Sequence, residues 1–272
     1  MPVADSAAAR RERIAVEVSR RGFARVTDLA RRARVSEVTV RTDLAALEAE
    51  GRITRVHGGA MPRGLVTARE SSLEQSSARA SRLKRAIAVE AASRVRSGES
   101  VLLDVGSTTL AVAQALVDRR ELTELVVITN GLAIALALEP AIPRFTVVVT
   151  GGTLRSLQHS LVNPLATSLL DEVRADTAIL GATGVHAEHG VTNVNLPEAE
   201  VKRRMVAAST RRILVADSSK LGQVHLGRVA TVQQLDALIT DADADPAHLD
   251  VLRSTGLDVT AVAARGLGTL GS

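Results

Sequence analysis

The chain has 272 residues, 46% of them apolar, with no cysteine and only Phe23 and Phe145 as aromatics. That length suits one large or two modest domains with cores of Leu, Val, Ile and Ala; the missing thiols exclude disulfides, thiolate zinc sites and cysteine nucleophiles, and the scarcity of rings argues against single-strand or RNA recognition by base stacking. The net charge of +4 is unevenly placed, with thirteen arginines against eight acids in residues 1–63 and twenty-one bases against twenty-two acids in residues 64–272, the pattern of a basic nucleic-acid-binding module on a neutral body.

No apolar run approaches the ~20 residues needed to span a bilayer. The first nine residues lack a hydrophobic signal core, so a cytoplasmic location is expected.

In chain order, residues 7–21 predict a helix with Ile14 and Val18 on its apolar face and Gly22 as its stop. Residues 27–33 predict a short second helix, joined through Arg34-Val35 to a third. Ser36 is a good N-cap for that third helix, without the Glu or Gln three residues on that completes a capping box. Gly51 ends it. Val40, Leu44 and Leu47 share one face. Val38, Arg41 and Thr42 project elsewhere, with Thr39 on the flank. A methyl group, a hydroxyl and a guanidinium are what read thymine methyls, base edges and phosphates in a major groove. Two helices so closely joined form a helix-turn-helix. Arg52 to Val56 then alternates like a strand, His57-Gly58-Gly59 turns it, and Ala60-Met61 returns. That hairpin is a wing, and Arg52, Arg55 and His57 would lie along a phosphate backbone. The candidate DNA contacts are Thr27, Ser36, Glu37, Val38, Thr39, Arg41, Thr42, Arg52, Arg55 and His57.

The run T-D-L-A-R-R-A-R-V-S-E-V-T-V-R-T-D-L-A-A-L-E-A-E-G-R-I-T-R-V-H-G-G-A resembles the N-terminal domain of the DeoR family of bacterial transcriptional regulators, over about residues 7–62. The chain has Thr42 where the family usually carries a second Arg.

Residues 63–80 are polar and Ser-rich and read as a linker. Leu83, Ile87 and Ala91 restore helical periodicity and open a second domain, residues 81–272. Strands are expected at 100–105, 125–129, 145–150, 177–180, 213–216, 237–239 and 258–262, and helices at 110–117, 132–138, 164–173, 198–209 and 246–254. Such alternation gives a mostly parallel sheet wrapped by helices, with ligands bound where strands run into helices. The fold class is therefore α/β: an N-terminal winged helix-turn-helix domain, then a Rossmann-like, mostly parallel α/β effector domain. Asp104-Val105-Gly106-Ser107-Thr108-Thr109 has phosphate chemistry at a helix mouth. Thr129-Asn130-Gly131, Thr150-Gly151-Gly152 and Asp217-Ser218-Ser219-Lys220 end further strands. Ordinary strand-to-helix turns use the same residue types.

The ordered segments L-D-V-G-S-T-T, V-I-T-N-G, T-G-G-T-L, L-G-A-T-G-V, N-L-P-E-A-E-V-K and A-D-S-S-K-L-G are similar to the DeoR-family effector domain over most of residues 82–240. That domain resembles sugar-phosphate isomerases and CoA transferases in fold. The resemblance implies that Gly106, Ser107, Thr108, Thr109 and Lys220 hold a phosphate, and that Asp104, Asn130, Gly152, Glu198 and Lys202 line the sugar side. Thr183 stands where many relatives carry Asp.

The expected function is a sequence-specific DNA-binding regulator, a repressor of carbohydrate-metabolism genes modulated by a phosphorylated sugar and working as a homo-oligomer. It needs no cofactor and no metal: His186-Ala187-Glu188-His189 reads as a solvated loop, and Asp241 to Asp245 lacks the Gly and terminal Glu of a calcium loop. One rival is a sugar-phosphate isomerase with a DNA-binding appendage, using Asp104 or Glu198 as base. Another is a nonspecific architectural binder.

Overall fold

The structure, a computed structural model, describes residues 6–21, 24–56, 59–62 and 70–264. It divides into two compact units, Met1–Arg69 and Glu70–Ser272.

The first unit holds α1 (Ala7–Arg21), β1 (Ala24–Arg25), α2 (Val26–Ala33), α3 (Glu37–Ala49), β2 (Ile53–Val56) and β3 (Gly59–Pro62). Ile14 and Val18 of α1, Leu29 of α2, Val40, Leu44 and Leu47 of α3 and Ile53 of β2 close into one apolar cluster. The four- and three-residue spacings put each set on one helix face. The antiparallel wing β2–β3 forms as expected, and β3 also pairs with the short β1, which two residues of sequence do not announce. Two backbone devices fix the ends of α3. Arg34 turns the chain with φ of 54°, and the Ser36 hydroxyl accepts the Thr39 amide at 3.1 Å. At the other end Gly51 has φ of 70°, and the amides of Gly51 and Arg52 bond the carbonyls of Glu48 and Leu47, each at 2.9 Å. That is a Schellman stop, and its left-handed position costs an L-residue roughly 1–2 kcal/mol. Gly51→Ala is therefore expected to lower the stability of this unit by about that amount in urea unfolding; an unchanged midpoint would contradict the role of the stop.

The second unit opens with α4 (Leu73–Ala78) and α5 (Ser81–Ser93). Then follow β4 (Ser100–Leu103), α6 (Ser107–Asp118), β5 (Leu125–Thr129), α7 (Leu132–Leu138), β6 (Phe145–Val149), β7 (Thr153–Arg155), β8 (Ser160–Val162) and α8 (Pro164–Glu172). The chain continues through β9 (Ala175–Gly181), β10 (Gly184–His186), β11 (Gly190–Asn193), α9 (Leu196–Ala207), β12 (Ser209–Val215), β13 (Gly227–Ala230), β14 (Ala237–Asp241), α10 (Pro246–Ser254) and β15 (Asp258–Val262).

Seven strands form one sheet in the order β15-β14-β12-β9-β4-β5-β6, every pair parallel. Helices cover both faces, so the strands are apolar on both sides. Leu102, Leu180, Leu214 and Leu238 enter one core with α8, α9 and α10, while Val101, Leu103, Ile179, Ile213 and Ile239 enter the other with α5, α6 and α7. The chain runs outward from β4 through β5 to β6, then returns to β9 on the other side of β4. Strand order therefore reverses between β4 and β9, where an open α/β sheet leaves a crevice.

Residues 70–80 were expected to be linker. They carry instead a capped helix: the Ser72 hydroxyl accepts the Gln75 amide, the Gln75 side chain accepts the Ser72 amide, and Leu73 is buried. A Ser-rich segment with one apolar anchor hides a helix of six residues, because its signal is the cap and not a periodic stripe. The hairpin β7–β8 and the small sheet β10-β11-β13 were likewise not anticipated.

Candidate functional site

On α3 the buried face consists of Val40, Asp43, Leu44 and Leu47. Val38 is 70% exposed. The Thr42 hydroxyl donates to the Val38 carbonyl at 3.1 Å, which leaves its methyl outward. Ser36 spends its hydroxyl on the cap, within 2.9 Å of the Thr39 hydroxyl. Arg41 reaches Glu37 one turn back at 3.0 Å, with both side chains largely exposed. An exposed pair four residues apart contributes only a few tenths of a kcal/mol, so it yields readily to a better anion. Thr27 is exposed in the first turn of α2.

The wing arginines are arranged differently from expectation. Arg52 pairs with Glu12 at 2.8 Å and Arg55 with Glu48 at 2.9 Å, so each is held by an acid of α1 or α3. His57 lies outside the described residues. A residue that sequence reasoning missed is Asp43. It is buried on the inner face of α3, and the Arg10 guanidinium forks onto it at 2.6 and 3.1 Å. A bidentate pair fixes direction as well as distance, and this one ties α1 to α3. The only signal for it was a carboxylate set beside Leu44 on an apolar face.

In the second unit a cleft opens beside the sheet reversal. Asp104 follows β4 and is fully buried. Its Oδ2 accepts from the Gly181 amide at 2.9 Å and from the Lys202 ammonium, while Oδ1 has no partner. Lys202, only 3% exposed, also donates to the Gly181 carbonyl at 3.2 Å. Burial pushes the Asp104 carboxyl above the usual carboxylate range despite the attraction of Lys202. Gly106, with φ of 145°, caps α6. A Cβ there would come within 3.2 Å of the Thr109 hydroxyl, so glycine lets the turn close. The first-turn amides of α6 lack partners within the helix and aim along its axis, where an anion is favoured. Ser107 and Thr108 line the cleft. Thr109 is fully buried and its hydroxyl donates to the Gly106 carbonyl at 3.0 Å, so only its backbone is free to meet a ligand. Lys220 lines the facing wall, at the end of a short turn after β12.

Glu198 sits in the first turn of α9. Its Oε1 accepts from the Ser160 hydroxyl at 2.6 Å and from Arg155, and its Oε2 from the Asn193 amide nitrogen at 3.3 Å. Two expected ligand contacts are placed elsewhere. Asn130 is fully buried, accepts the Val105 amide at 3.0 Å and donates to the Leu161 carbonyl at 3.4 Å, a tie between strand ends. Gly152, with φ of 117°, packs so tightly that a Cβ would lie 2.6 Å from the Val162 carbonyl oxygen. Neither lines the cleft, and the fully buried Asp104 is likewise absent from its walls, reaching it only through Lys202.

Lys84, Glu70 and Arg155 were not singled out in the sequence, and Asp217 only as the start of a strand-end turn. Lys84 of α5 is 5% exposed and borders the cleft. Its ammonium donates to the carbonyls of Ser76 and, at 3.0 Å, Arg79, and lies 3.8 Å from Asp217. Burial pulls its pKa down, against the pull of Asp217. The one available clue was a cation flanked by Leu83 and Ile87 on an amphipathic helix. A roomier groove of about 660 Å³ runs between α5 and α6, whereas the strand-end cleft holds about 100 Å³. The smaller space is the better candidate, because buried charges and a helix mouth converge there.

Among the described residues no three or more His, Cys, Asp or Glu are grouped to hold a metal, and no helix is long and apolar enough to cross a membrane.

Comparison with known proteins agrees with this arrangement. A family model described as a DeoR-like helix-turn-helix domain matches residues 10–62, and one described as a DeoR C terminal sensor domain matches residues 79–242. A putative aga operon transcriptional repressor of Escherichia coli O157:H7 is 35% identical over 254 residues, covering 93% of this chain and 93% of that protein. The lactose phosphotransferase system repressor of Streptococcus mutans serotype c is 32% identical over 237 residues, covering 87% and 92%. Among solved structures, a D-ribose-5-phosphate isomerase in complex with phospho-erythronic acid overlays 50% of this chain and 52% of its own at 18% identity and a TM-score of 0.38.

Proposed function

The chain belongs to the DeoR family of transcriptional regulators, and on that premise we propose that it represses carbohydrate-metabolism genes under control of a phosphorylated sugar. It is a DNA-binding regulator with a small-molecule sensor domain. Residues 7–62 bind the operator and residues 81–272 sense the effector. The observation that carries the ligand reading is the convergence at the sheet reversal. The Gly106–Thr108 turn and Lys220 offer amides, hydroxyls and a cation to a phosphate, beside the Lys202–Asp104 pair. Glu198 stands on the same side. The test is thermal shift with a panel of pentose and hexose phosphates, since a ligand of the folded state raises stability by mass action. A panel that shifts nothing removes this reading.

Toward DNA, Val38, Arg41, Glu37 and the methyl of Thr42 face the bases, Thr27, Ser36, Thr39, Arg52 and Arg55 face the backbone, and His57 remains a further candidate. Arg41→Ala is expected to weaken binding of a selected operator duplex by about 1–3 kcal/mol, roughly 5–150-fold. Unchanged affinity in a gel shift would take Arg41 out of the readout, and equal affinity for scrambled duplex at the same salt would favour an architectural binder. One winged module buries too little surface for tight selective binding, so the working form is a symmetric oligomer in the cytoplasm. The exposed Leu136, Leu154 and Leu165 supply apolar surface for that contact. The effector acts by differential affinity for two states, on a coupling scale of about 1–3 kcal/mol.

The isomerase alternative gains nothing from the geometry. The chain's relatives are DNA-binding regulators rather than enzymes, and Glu198 spends both carboxylate oxygens on Ser160, Arg155 and Asn193.

A further inference from the structure

The first segment of the second unit is itself a wall of the cleft. Glu70, Ser71, Ser76 and Arg79 line it, opposite the Gly106–Thr108 turn. The segment is held by polar ties. Glu70 forks onto the Arg155 guanidinium at 2.8 and 3.2 Å, Gln158 donates to the Ser71 carbonyl, the Leu73 amide donates to the Leu157 carbonyl at 3.0 Å, and Lys84 holds the carbonyls of Ser76 and Arg79. Its apolar anchor is slight: from Glu70 to Ala80 the one buried residue is Leu73. Helices fastened so lightly belong to the low-stability end of a protein's local opening spectrum.

Arg155 is contested. It bonds Glu70 and also Glu198, so two carboxylates share one guanidinium, in a site where both acids line the cleft. Burial works against the charge of Arg155, yet Glu70 and Glu198 together hold its pKa above the ordinary value. Meanwhile the cleft, at about 100 Å³, falls below the ~300 Å³ at which small-molecule sites begin. A sugar phosphate enters only if a wall yields, and the Glu70–Ala80 wall is anchored by one buried residue, Leu73.

We propose that the Glu70–Arg155 pair is a latch: an anionic ligand entering the cleft repels the Glu70 carboxylate that lines it, loosens its hold on Arg155, frees the Glu70–Ala80 strap, and so signals to the DNA-binding unit. This deepens the sugar-phosphate reading and rests on it. The signal has a short path. From Pro62, the last described residue of the wing, to Glu70 the chain spans about 25–30 Å at full stretch. A shift of a few ångströms at Glu70 is about a tenth of that reach. Whatever factor the ligand imposes on operator affinity, the operator imposes on ligand affinity through the same latch, as linkage requires.

Glu70→Gln keeps the shape of the side chain and removes the charge that repels the ligand. Three results are expected. Without any ligand, amide hydrogen exchange at residues 73–79 speeds up. The half-saturating concentration of whichever sugar phosphate of the panel stabilises the wild type falls by about tenfold, within the usual range of coupling. The ratio of operator Kd with and without that sugar phosphate shrinks toward one. Asp250→Asn, which loses an exposed contact to Arg253 on α10, should leave all three unchanged. Exchange and operator binding in Glu70→Gln identical to wild type would overturn the latch. If no sugar phosphate acts on the wild type, the effector reading fails, while the ligand-free exchange and operator affinity of Glu70→Gln still decide the latch.

Discussion

Lys202→Met lowers the stability of the second unit by about 3–5 kcal/mol, read as its own transition in urea unfolding. The side chain is of similar length, so packing on α9 is kept. What is lost is the cation beside Asp104, a fully buried carboxyl. An uncompensated buried charge is far more costly than the pair it came from, whose own net worth is small. The sign of the pH dependence follows. Without Lys202 the folded-state pKa of Asp104, already raised by burial, rises further, so the folded protein holds a proton that the unfolded chain releases above about pH 4. The deficit of the variant should therefore grow as pH rises from about 4 toward 8. Adding Asp104→Asn to Lys202→Met removes the charge and should recover part of the loss. A variant as stable as wild type, or a deficit that shrinks with rising pH, would show that Asp104 and Lys202 do not sense each other as the geometry requires.

Lys220→Ala should leave operator affinity intact and weaken the response to the effector by about 1.5–3 kcal/mol, roughly 10–150-fold in half-saturating concentration. The ammonium is the cation nearest in role to a bound phosphate. Lys84 is tied to two backbone carbonyls and Asp217, and Lys202 to Asp104. No hydrogen bond in the folded chain depends on the Lys220 side chain among the bonds described, so removing it disturbs little else. A response at the same concentration would move the phosphate elsewhere.

Much of this architecture is written in local pattern. The α3 cap at Ser36, its stop at Gly51 and the Val40–Leu44–Leu47 face are all short-range facts, and the strands at 125–129 and 258–262 and the helices at 132–138 and 246–254 fall where periodicity placed them. The Asp104–Thr109 turn into α6 was legible because its glycine and hydroxyl residues are contiguous. What was not legible depends on distant partners. Asp43 looks like a blemish on an apolar face until Arg10, thirty-three residues away, is brought to it. Arg155 sits on a three-residue strand, and its meaning comes from Glu70, eighty-five residues earlier, and Glu198, forty-three later. Asn130 and Gly152 show the converse error. Polar and glycine residues at strand ends were read as ligand contacts, yet one satisfies backbone groups and the other makes room for a carbonyl.

The placement of β4 has a temporal consequence. It is the first strand of the sheet to leave the ribosome, but its neighbour β9 ends only at Gly181. Pro62 ends the last strand of the winged unit 119 residues earlier, an interval of roughly 6–24 s at ordinary synthesis rates. Throughout it, a folded operator-reading head can precede its own control, while one edge of the nascent sheet lacks its permanent cover and is open to wrong pairing. Conditions that slow elongation between residues 62 and 181 should therefore favour aggregation over loss of the head.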